Sequence, residues 1–371
     1  MAVLTGGRMN ILVVNAGSSS LKLSVIGDNE ATLAETEFQG APEGAAHDSA
    51  LLHFIDAQRD LGAAGHRIVH GGAGLRAPVI VDAAVRAQLD ATAQLAPLHV
   101  PPALAVLDTV REHTSLTQVA CFDTAFHASL PATATTYAIP LSWREDFGIR
   151  RYGFHGLSCA WSLRRAASLL GRPPASLQLV VAHLGAGASV TAIRDGHSVD
   201  TSMGFTPLEG LVMATRSGSV DPGALLYMQT HGGIGPAEMN DALERASGTL
   251  GLAGSADMRE ILARAAAGDA RDALTRDVYV HRARAVLCGV AASLDRLDAI
   301  VFTGGVGENA GEIRNRICAG LGVLGVVPPD GTTPAHGDGV ISAATVDVAI
   351  LVVRAREDLE ISREVSELID R

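Results

Sequence analysis

The stretch Asn15-Ala16-Gly17-Ser18-Ser19-Ser20-Leu21-Lys22 directly follows the apolar run Ile11-Leu12-Val13-Val14. Its small residues let a backbone approach a polyanion closely, and its hydroxyl and amide groups can donate to phosphate oxygens. Lys22 adds a compact positive charge. It is the only lysine in the chain, because the remaining 28 of the 29 lysine and arginine residues are arginines. The pattern favours a phosphate-binding loop, although an ordinary Ser/Gly turn with a solvated lysine has the same composition.

This loop joins two predicted strands, residues 10–14 and 21–26, so it lies at the tip of a hairpin. A P-loop would need GxxxxGK[ST] leading into a helix, and the GxGxxG of dinucleotide folds is also missing from this loop. The design recurs where the glycine-rich loop 183–189 joins predicted strands 178–182 and 190–193. Two units of one design predict two related domains.

A third glycine-rich turn, residues 303–309, follows a buried-type strand at 298–302 and precedes a helix predicted from about Ala310. The free N–H groups of a helix N-terminus favour anions, which suits a nucleotide phosphate, although a plain turn between a strand and a helix has the same pattern. Further helices are predicted at 273–294 and 356–368, the second one amphipathic and charged.

Composition limits the class of protein. A chain of 371 residues predicts two or three domains, and 47% hydrophobic residues with 40 glycines suit an α/β protein. The net charge of -11 argues against a nucleic-acid or anionic-membrane surface. The four cysteines are far apart and lack zinc-ligand spacing, so we expect free thiols and a cytoplasmic location. No apolar run reaches ~18 residues, so we expect no membrane-spanning helix.

Several charged residues lie inside apolar or glycine-rich stretches: Arg67, Asp123, His155 and Arg216. Each has an ordinary alternative, because a lone aspartate is often a helix cap and a lone histidine is often a core residue. Together with three glycine-rich loops they form the set that phosphoryl transfer needs, since that reaction depends on positioning and on preorganised positive charge.

The sequence resembles the acetate kinase family, within the sugar kinase/Hsp70/actin superfamily. The matching stretches, in chain order, are NAGSSSLK (15–22), HRIVHGG (66–72), LAPLH (95–99), CFDTAFH (121–127), RRYGFHG (150–156), HLGAGAS (183–189), TSMGFTPLEGLVMATRSG (201–218), SADMRE (255–260) and FTGGVGEN (302–309). A weaker match covers 356–359.

The resemblance implies an α/β fold of two ribonuclease-H-like, actin-like ATPase domains with a cleft between them. Residues 1–124 and 355–371 would form the N-terminal domain, and 125–354 the C-terminal domain with most of the nucleotide site. The last helix would return to the first domain and bring Glu357 near Asn15.

The resemblance also implies a role for each matching residue. Asp123, His155, Arg216 and Arg67 would be catalytic, with Asp123 an acid/base or carboxylate-orienting group. The substrate pocket would comprise Arg67, Val69, Leu98, Phe154 and Pro207. Asn15 and Glu357 would hold the metal. The nucleotide would contact Lys22, Ser18, Ser20, His183, Leu184, Gly185, Ala186, Gly187, Asp257, Met258, Arg259, Gly305, Val306, Gly307, Glu308 and Asn309.

The implied activity is reversible, direct in-line phosphoryl transfer between ATP and acetate, giving acetyl phosphate and ADP. Mg²⁺, which Mn²⁺ can replace, would be required, and the protein would be a homodimer. A propionate kinase and a non-catalytic ATP-binding protein are the alternatives; the four catalytic groups argue against the second. The chain departs from the family pattern at Ala186 and Val100, each usually Asn, and at Arg354-Ala355-Arg356, usually Pro-Thr-Asn.

Overall fold

The computed structural model describes residues 9–17, 20–40, 45–329 and 337–370. The chain divides into two compact units. The first unit comprises Met1–Ala128, Phe154–Trp161 and Arg356–Arg371, and the second comprises Ser129–Gly153 and Ser162–Ala355. The sequence-based borders at 124/125 and 354/355 stay a prediction. Ser18, expected to contact phosphate, lies outside the described residues.

The strands are β1 (Asn10–Ala16), β2 (Ser20–Ile26), β3 (Thr32–Gln39), β4 (Leu61–Ile68), β5 (Val79–Ile80), β6 (Thr117–Phe122), β7 (Gln178–Leu184), β8 (Ala188–Arg194), β9 (His197–Thr201), β10 (Ala299–Thr303), β11 (Gly339–Val340) and β12 (Ala349–Val352). The helices are α1 (Ala45–Asp56), α2 (Ala83–Thr92), α3 (Val100–His113), α4 (Ala132–Thr135), α5 (Leu141–Phe147), α6 (Gly156–Leu170), α7 (Pro222–His231), α8 (Pro236–Arg245), α9 (Gly248–Ala253), α10 (Met258–Ala266), α11 (Ala270–Ala291), α12 (Gly304–Asn309), α13 (Gly311–Ala319) and α14 (Glu357–Ile369).

The two units contain sheets of the same topology. The first sheet has the order β3-β2-β1-β4-β6-β5, and the second has β9-β8-β7-β10-β12-β11. In each, three strands form an antiparallel meander, two further strands add in parallel, and a short antiparallel strand ends the sheet. The predicted α/β fold with two ribonuclease-H-like sheets is therefore confirmed.

Burial follows from how the strands are covered. In the first unit α3 and α14 both pack against β1 and β4, and the inner residues of β1 are buried without alternation. A strand covered on both faces shows this near-continuous apolar pattern. The edge strand β3 has no buried residue, and its exposure alternates along its length. The sheet therefore supplies a rigid base whose strand ends position the candidate site.

Both predicted hairpins are present, with Asn15 opposite Lys22 and Leu184 opposite Ala188. The helix predicted from about Ala310 is confirmed as α13, which begins at Gly311 with Ala310 as its N-cap. The short helix α12, which begins at Gly304 directly after β10, was not predicted. The reason is local capping: a carboxylate oxygen of Glu308 accepts a hydrogen bond from the Gly304 N–H at 3.0 Å and stabilises the first turn. Among the helices of the described residues, none combines the length and the apolar character needed to cross a bilayer.

Candidate active site

Four of the predicted site residues form one hydrogen-bonded cluster in the first unit. Arg67, at the end of β4, makes a two-pronged contact with Asp123, with distances of 2.9 Å from Nε to Oδ1 and 2.6 Å from Nη2 to Oδ2. Its Nη1 donates to Asn15 Oδ1 at 3.1 Å and lies 3.6 Å from Glu357 Oε2. Asn15 Nδ2 donates to the same Glu357 oxygen at 3.1 Å. Three parallel strand ends and the start of α14 thus bring together residues far apart in sequence.

The electrostatics of this cluster are set by burial and by Arg67. Asp123 is almost fully buried, which raises its pKa, while Arg67 opposes that shift and Glu357 adds to it. The pKa of Arg67 is raised, because Asp123 and Glu357 outweigh the effect of burial. The guanidinium therefore stays charged beside Asp123 and Glu357.

Glu357 is selected from three acidic residues in the first turn of α14. Arg356 binds Asp358 through Nε at 2.9 Å and Nη2 at 2.8 Å, and Arg363 contacts Glu360. These pairings engage Asp358 and Glu360, so Glu357 is the acidic side chain that meets Asn15.

His155 lies beside Asp123 through the backbone. The Gly156 N–H donates to the Asp123 carbonyl oxygen at 2.8 Å, and a Cβ at Gly156 would approach that oxygen to 2.3 Å, so only glycine fits. His155 itself has φ +58°, a left-handed conformation that is uncommon outside glycine and concentrates at functional sites. The backbone thus holds the half-buried imidazole at the start of α6.

Two buried histidines that the sequence analysis did not single out hold Phe154. A ring nitrogen of His127 lies 2.9 Å from the Phe154 carbonyl oxygen, and the His70 ring packs edge-on against the Phe154 ring with centroids 5.4 Å apart. Burial lowers the pKa of His127 to about 4, so this imidazole is neutral at pH 7. Val69, Phe154 and Pro207 are buried and Leu98 is half-buried, and the pocket predicted from them stays a prediction.

The second unit contains a cavity of about 850 Å³ at the carboxyl ends of β7 and β10. Eight predicted nucleotide-binding residues line it: Gly185, Ala186, Asp257, Met258, Arg259, Gly305, Val306 and Asn309. Six further lining residues had not been predicted: Ala214, Thr249, Ala256, Leu262, Tyr279 and Ala310. Leu262 and Tyr279 lie on amphipathic or buried helix faces, where sequence alone cannot separate a cavity wall from a core.

The remaining predicted residues of this group do not line the cavity: His183, Leu184, Gly187, Gly307 and Glu308. Glu308 has a different contact set. Its Oε1 accepts hydrogen bonds from the N–H groups of Gly304 at 3.0 Å and Ala355 at 2.9 Å. Its carboxylate therefore links the turn after β10 to the segment that precedes α14.

Arg216 is fixed by a loop anchored to the end of α8. Its Nη1 donates to the Pro207 carbonyl oxygen at 2.7 Å, and its Nε lies 3.9 Å from Glu244 Oε2. The residues on either side of Arg216 bind the backbone of α8. Thr215 Oγ1 donates to the Glu244 carbonyl oxygen at 2.8 Å, and the Ser217 N–H donates to the Leu243 carbonyl oxygen at 3.0 Å. Burial lowers the pKa of Arg216, and Glu244 opposes this shift. The guanidinium is thus held in a partly desolvated place.

Lys22 projects from β2 on the same face of the first sheet as Asn15, because the two residues are directly opposite in the hairpin. Its side chain is 58% exposed, and its Nζ lies 3.5 Å from Glu37. Ser20 is half-buried at the start of β2, and its carbonyl oxygen accepts from the Gly17 N–H at 2.8 Å. An exposed ammonium beside the cluster suits an anionic ligand.

The sequence profile of the Acetokinase family matches residues 34–363. The chain belongs to this family. A curated acetate kinase of Synechococcus sp. is 42% identical over 404 residues, covering 97% of this chain and 99% of the relative. An acetate kinase of Leifsonia xyli subsp. xyli is 41% identical over 386 residues, covering 95% and 97%.

Two solved structures resemble this chain closely. A Francisella tularensis propionate kinase has a TM-score of 0.88 at 34% identity, covering 96% of this chain and 98% of its own. The Porphyromonas gingivalis acetate kinase has a TM-score of 0.88 at 31% identity, covering 97% and 100%. The family and its two-domain fold are thus established over nearly the whole chain.

Proposed function

We propose that this protein catalyses reversible phosphoryl transfer between ATP and acetate, giving acetyl phosphate and ADP. The observation that carries the proposal is the partly buried, hydrogen-bonded cluster of Arg67, Asp123, Asn15 and Glu357. A guanidinium held by carboxylates at the ends of parallel strands is a preorganised binder for a carboxylate or a phosphoryl group. Membership of the acetokinase family supports the same assignment.

The chemistry requires little proton transfer. A carboxylate oxygen of acetate attacks the γ-phosphorus of ATP, and the bond from that phosphorus to the bridging oxygen breaks to release ADP. Acetate is already ionised at neutral pH, so no general base is needed in this direction. This favours an orienting role for Asp123, whose carboxylate is engaged by Arg67. Arg216 and His155 would stabilise the charge that spreads over the equatorial oxygens during in-line transfer.

The chemistry of the donor set fits Mg²⁺. Asn15 supplies an amide oxygen and Glu357 a carboxylate, and Mg²⁺ is usually held by one or two protein oxygens together with waters and substrate phosphates. Among the described residues, no group of three or more His, Cys, Asp or Glu side chains is arranged to hold a metal ion by itself. We therefore assign Asn15 and Glu357 as its protein ligands. When bound, Mg²⁺, or Mn²⁺ in its place, would neutralise phosphate charge.

The nucleotide is assigned to the cavity of the second unit. A volume of about 850 Å³ lies within the range of small-molecule and cofactor sites. Its glycine-rich walls at Gly185 and Gly305 let a ligand approach the backbone, while Leu262 and Tyr279 provide apolar surface for a base. Lys22 and Ser20 of the first unit, together with Ser18, remain assigned to the phosphates by resemblance.

A propionate kinase is the second candidate, and the similarity to the Francisella tularensis structure favours keeping it. A pocket built from apolar side chains separates acids that differ by one methylene by only about 1–3 kcal/mol. Acetate and propionate are therefore to be compared directly.

We also propose a homodimer in the cytoplasm. Helix α7 has no buried residue, and it exposes Leu226, Tyr227 and Met228 by 62%, 60% and 40%. Apolar side chains exposed in a group favour a protein partner, and a second copy of this chain is the partner that the family resemblance implies. Among the described residues, Cys121, Cys159, Cys288 and Cys318 form no disulfide, which supports a reducing compartment.

Trapping of the acyl phosphate with hydroxylamine tests the proposed activity. Purified protein with ATP, MgCl₂ and acetate should give acetohydroxamate, and the rate with propionate should be lower. The Arg67→Ala variant is the matched control for contaminating kinase. Equal rates in wild type and in this variant would refute the assignment, and a higher kcat/KM for propionate would select the second candidate.

A further inference from the structure

A compact charged network lies in the second unit, on the residues that precede the Arg216 loop. Arg151 Nη2 contacts Glu209 Oε1 at 2.7 Å, and the Tyr137 hydroxyl donates to Glu209 Oε2. The Arg151 guanidinium also stacks on the Tyr137 ring, 5.4 Å from its centroid. The three side chains therefore touch one another in a closed triangle.

The triangle holds the backbone that follows β9. Arg151 Nη1 donates to the carbonyl oxygens of Ser202 and Met203, each at 3.0 Å. The Tyr137 oxygen accepts from the Phe205 N–H at 3.1 Å. Two side chains thus fix this segment at three residues, Ser202, Met203 and Phe205. Arginine, which is always charged and carries several donors, suits such a clamp.

Packing leaves this segment one arrangement. A Cβ at Gly204 would lie 1.8 Å from Glu209 Oε2 and 2.1 Å from the Tyr137 hydroxyl, so the backbone passes against the triangle with no space for a side chain. The Gly204 carbonyl oxygen in turn accepts from the Tyr152 N–H at 2.9 Å. The clamped segment is therefore tied to the chain on both sides.

The clamped segment, residues 202–205, ends close in sequence to the residue that contacts the candidate catalytic arginine. Two residues after Phe205 the chain reaches Pro207, whose carbonyl oxygen accepts from Arg216 Nη1 at 2.7 Å. Glu209, a member of the triangle, lies two residues beyond Pro207. Pro207 is thus bracketed by clamped residues, and its carbonyl oxygen is the direct hydrogen-bond contact to Arg216.

We propose that Arg151, Glu209 and Tyr137 are positioning residues that act through Pro207 to orient the Arg216 guanidinium for phosphoryl transfer. The proposal rests on the proposed function for its kinetic consequence. It adds three residues that do not touch the substrate but set the geometry of one that does. A displacement of about 1 Å at such a group costs on the order of a hundredfold in rate.

The first test is steady-state kinetics of Glu209→Gln and Arg151→Lys, which keep the size of each side chain. Each should lower kcat by roughly tenfold or more, because the preorganised geometry is loosened. The KM for ATP should stay within about twofold of wild type, since the cavity residues are untouched. Tyr137→Phe should show the same split to a smaller extent, and it is the variant least expected to disturb folding.

The network should also act as a unit. The double variant Arg151→Lys with Glu209→Gln should lose little more activity than the worse single variant, because residues of one network are not additive. Arg172→Gln is the matched control. Arg172 pairs with Asp298 at 3.3 Å at the amino ends of β7 and β10, away from the clamped segment, so kcat should be unchanged.

A readout that needs no activity separates this proposal from the proposed function. Hydrogen–deuterium exchange should show reduced protection of residues 202–217 in the Glu209→Gln and Arg151→Lys variants and unchanged protection in Arg172→Gln. Unchanged protection, an unchanged kcat, or a rise in the KM for ATP parallel to the loss of kcat would each overturn the positioning role. Reduced protection in a protein that makes no acyl phosphate would refute the proposed function alone.

Discussion

Glu364 gives the protein a pH-dependent stability that one substitution should remove. It lies on α14, whose Ile361 and Val365 are buried, and α14 packs against β1, β2, β4 and β6. Within the described part of the chain, Glu364 Oε2 is buried without a hydrogen-bond partner. Burial raises the pKa of Glu364 from 4.5 to about 7, and the charge of Glu360 adds to this, while Cys121 and Arg363 oppose it.

The number of protons bound by the folded and unfolded chains sets the direction in which stability changes with pH. Between pH 4.5 and about 7 the folded protein holds a proton on Glu364 that the unfolded chain has lost. The contribution of Glu364 to the free energy of unfolding is therefore greatest below pH 4.5, and it is lost as the pH rises through about 7. A pKa difference of about 2.5 corresponds to ~3 kcal/mol at 1.36 kcal/mol for each pKa unit. Glu364→Gln cannot ionise, so it should be more stable than wild type at pH 8 by up to that amount.

Urea denaturation at pH 5 and pH 8 measures the effect. The midpoint of Glu364→Gln should match wild type at pH 5 within about 1 kcal/mol and exceed it at pH 8, since only the second pH ionises the glutamate. Asp370→Asn, an exposed change at the C-terminal end of the same helix, controls for the general loss of one negative charge. Parallel pH profiles for wild type and Glu364→Gln, or a less stable Gln variant at pH 8, would refute the reasoning.

Four further predictions concern the site and the assembly. Arg67→Ala and Arg216→Ala should each lower kcat/KM about a hundredfold or more through loss of a preorganised charge, and near-normal rates in the acyl-phosphate assay would remove that residue from the site. Ala186→Asn should lower the KM for ADP roughly tenfold or more, because an added amide can donate to a charged oxygen; an unchanged KM would show that the position is silent. Glu357→Ala should raise the Mg²⁺ concentration needed for half-maximal activity with little change in thermal stability, and an unchanged Mg²⁺ titration would exclude it as a ligand. Leu226→Glu should shift the sedimentation coefficient from dimer to monomer, whereas an unchanged value would place the interface elsewhere.

The fold was predictable because its signals are local. The strand–loop–strand pattern around Asn15 and its recurrence around Gly185 predicted two hairpins. Each hairpin belongs to one of two sheets that share the same topology. The start of α12 was not predictable in the same way. The start of α12 depends on a hydrogen bond from the Gly304 N–H to the Glu308 carboxylate. A glycine-rich run in the sequence does not indicate such a contact.

The candidate site was predictable where a charged side chain interrupts an apolar stretch, as at Arg67 and Asp123. It was not predictable where the function of a residue depends on a partner from a distant segment. His127 contacts Phe154 and Glu244 lies near Arg216, yet each has an ordinary sequence context. Tyr279 is one of several apolar residues on α11, and only the fold distinguishes a cavity wall from a core position.

The departures from the family pattern fall where the structure uses the backbone. Ala186 presents its carbonyl oxygen to the Ala214 N–H at 3.1 Å, and Ala355 presents its N–H to Glu308 at 2.9 Å. The Arg354 N–H likewise donates to Asp338 at 2.8 Å. These contacts do not depend on the side chain, so the loop and the segment before α14 keep their course although their sequence has changed.

Arg356 is a departure from the family pattern whose own side chain makes contacts. It engages Asp358 and also donates to Thr32 Oγ1 at 2.8 Å, which ties the start of α14 to β3. Asp358 is thereby occupied, and Glu357 is left to face Asn15. The segment before α14 therefore supports Glu357 as the acidic residue at the candidate metal position. Arg356→Asn should raise the Mg²⁺ concentration needed for half-maximal activity, because Asp358 would lose its arginine partner. An unchanged Mg²⁺ titration would show that Arg356 does not help to position Glu357.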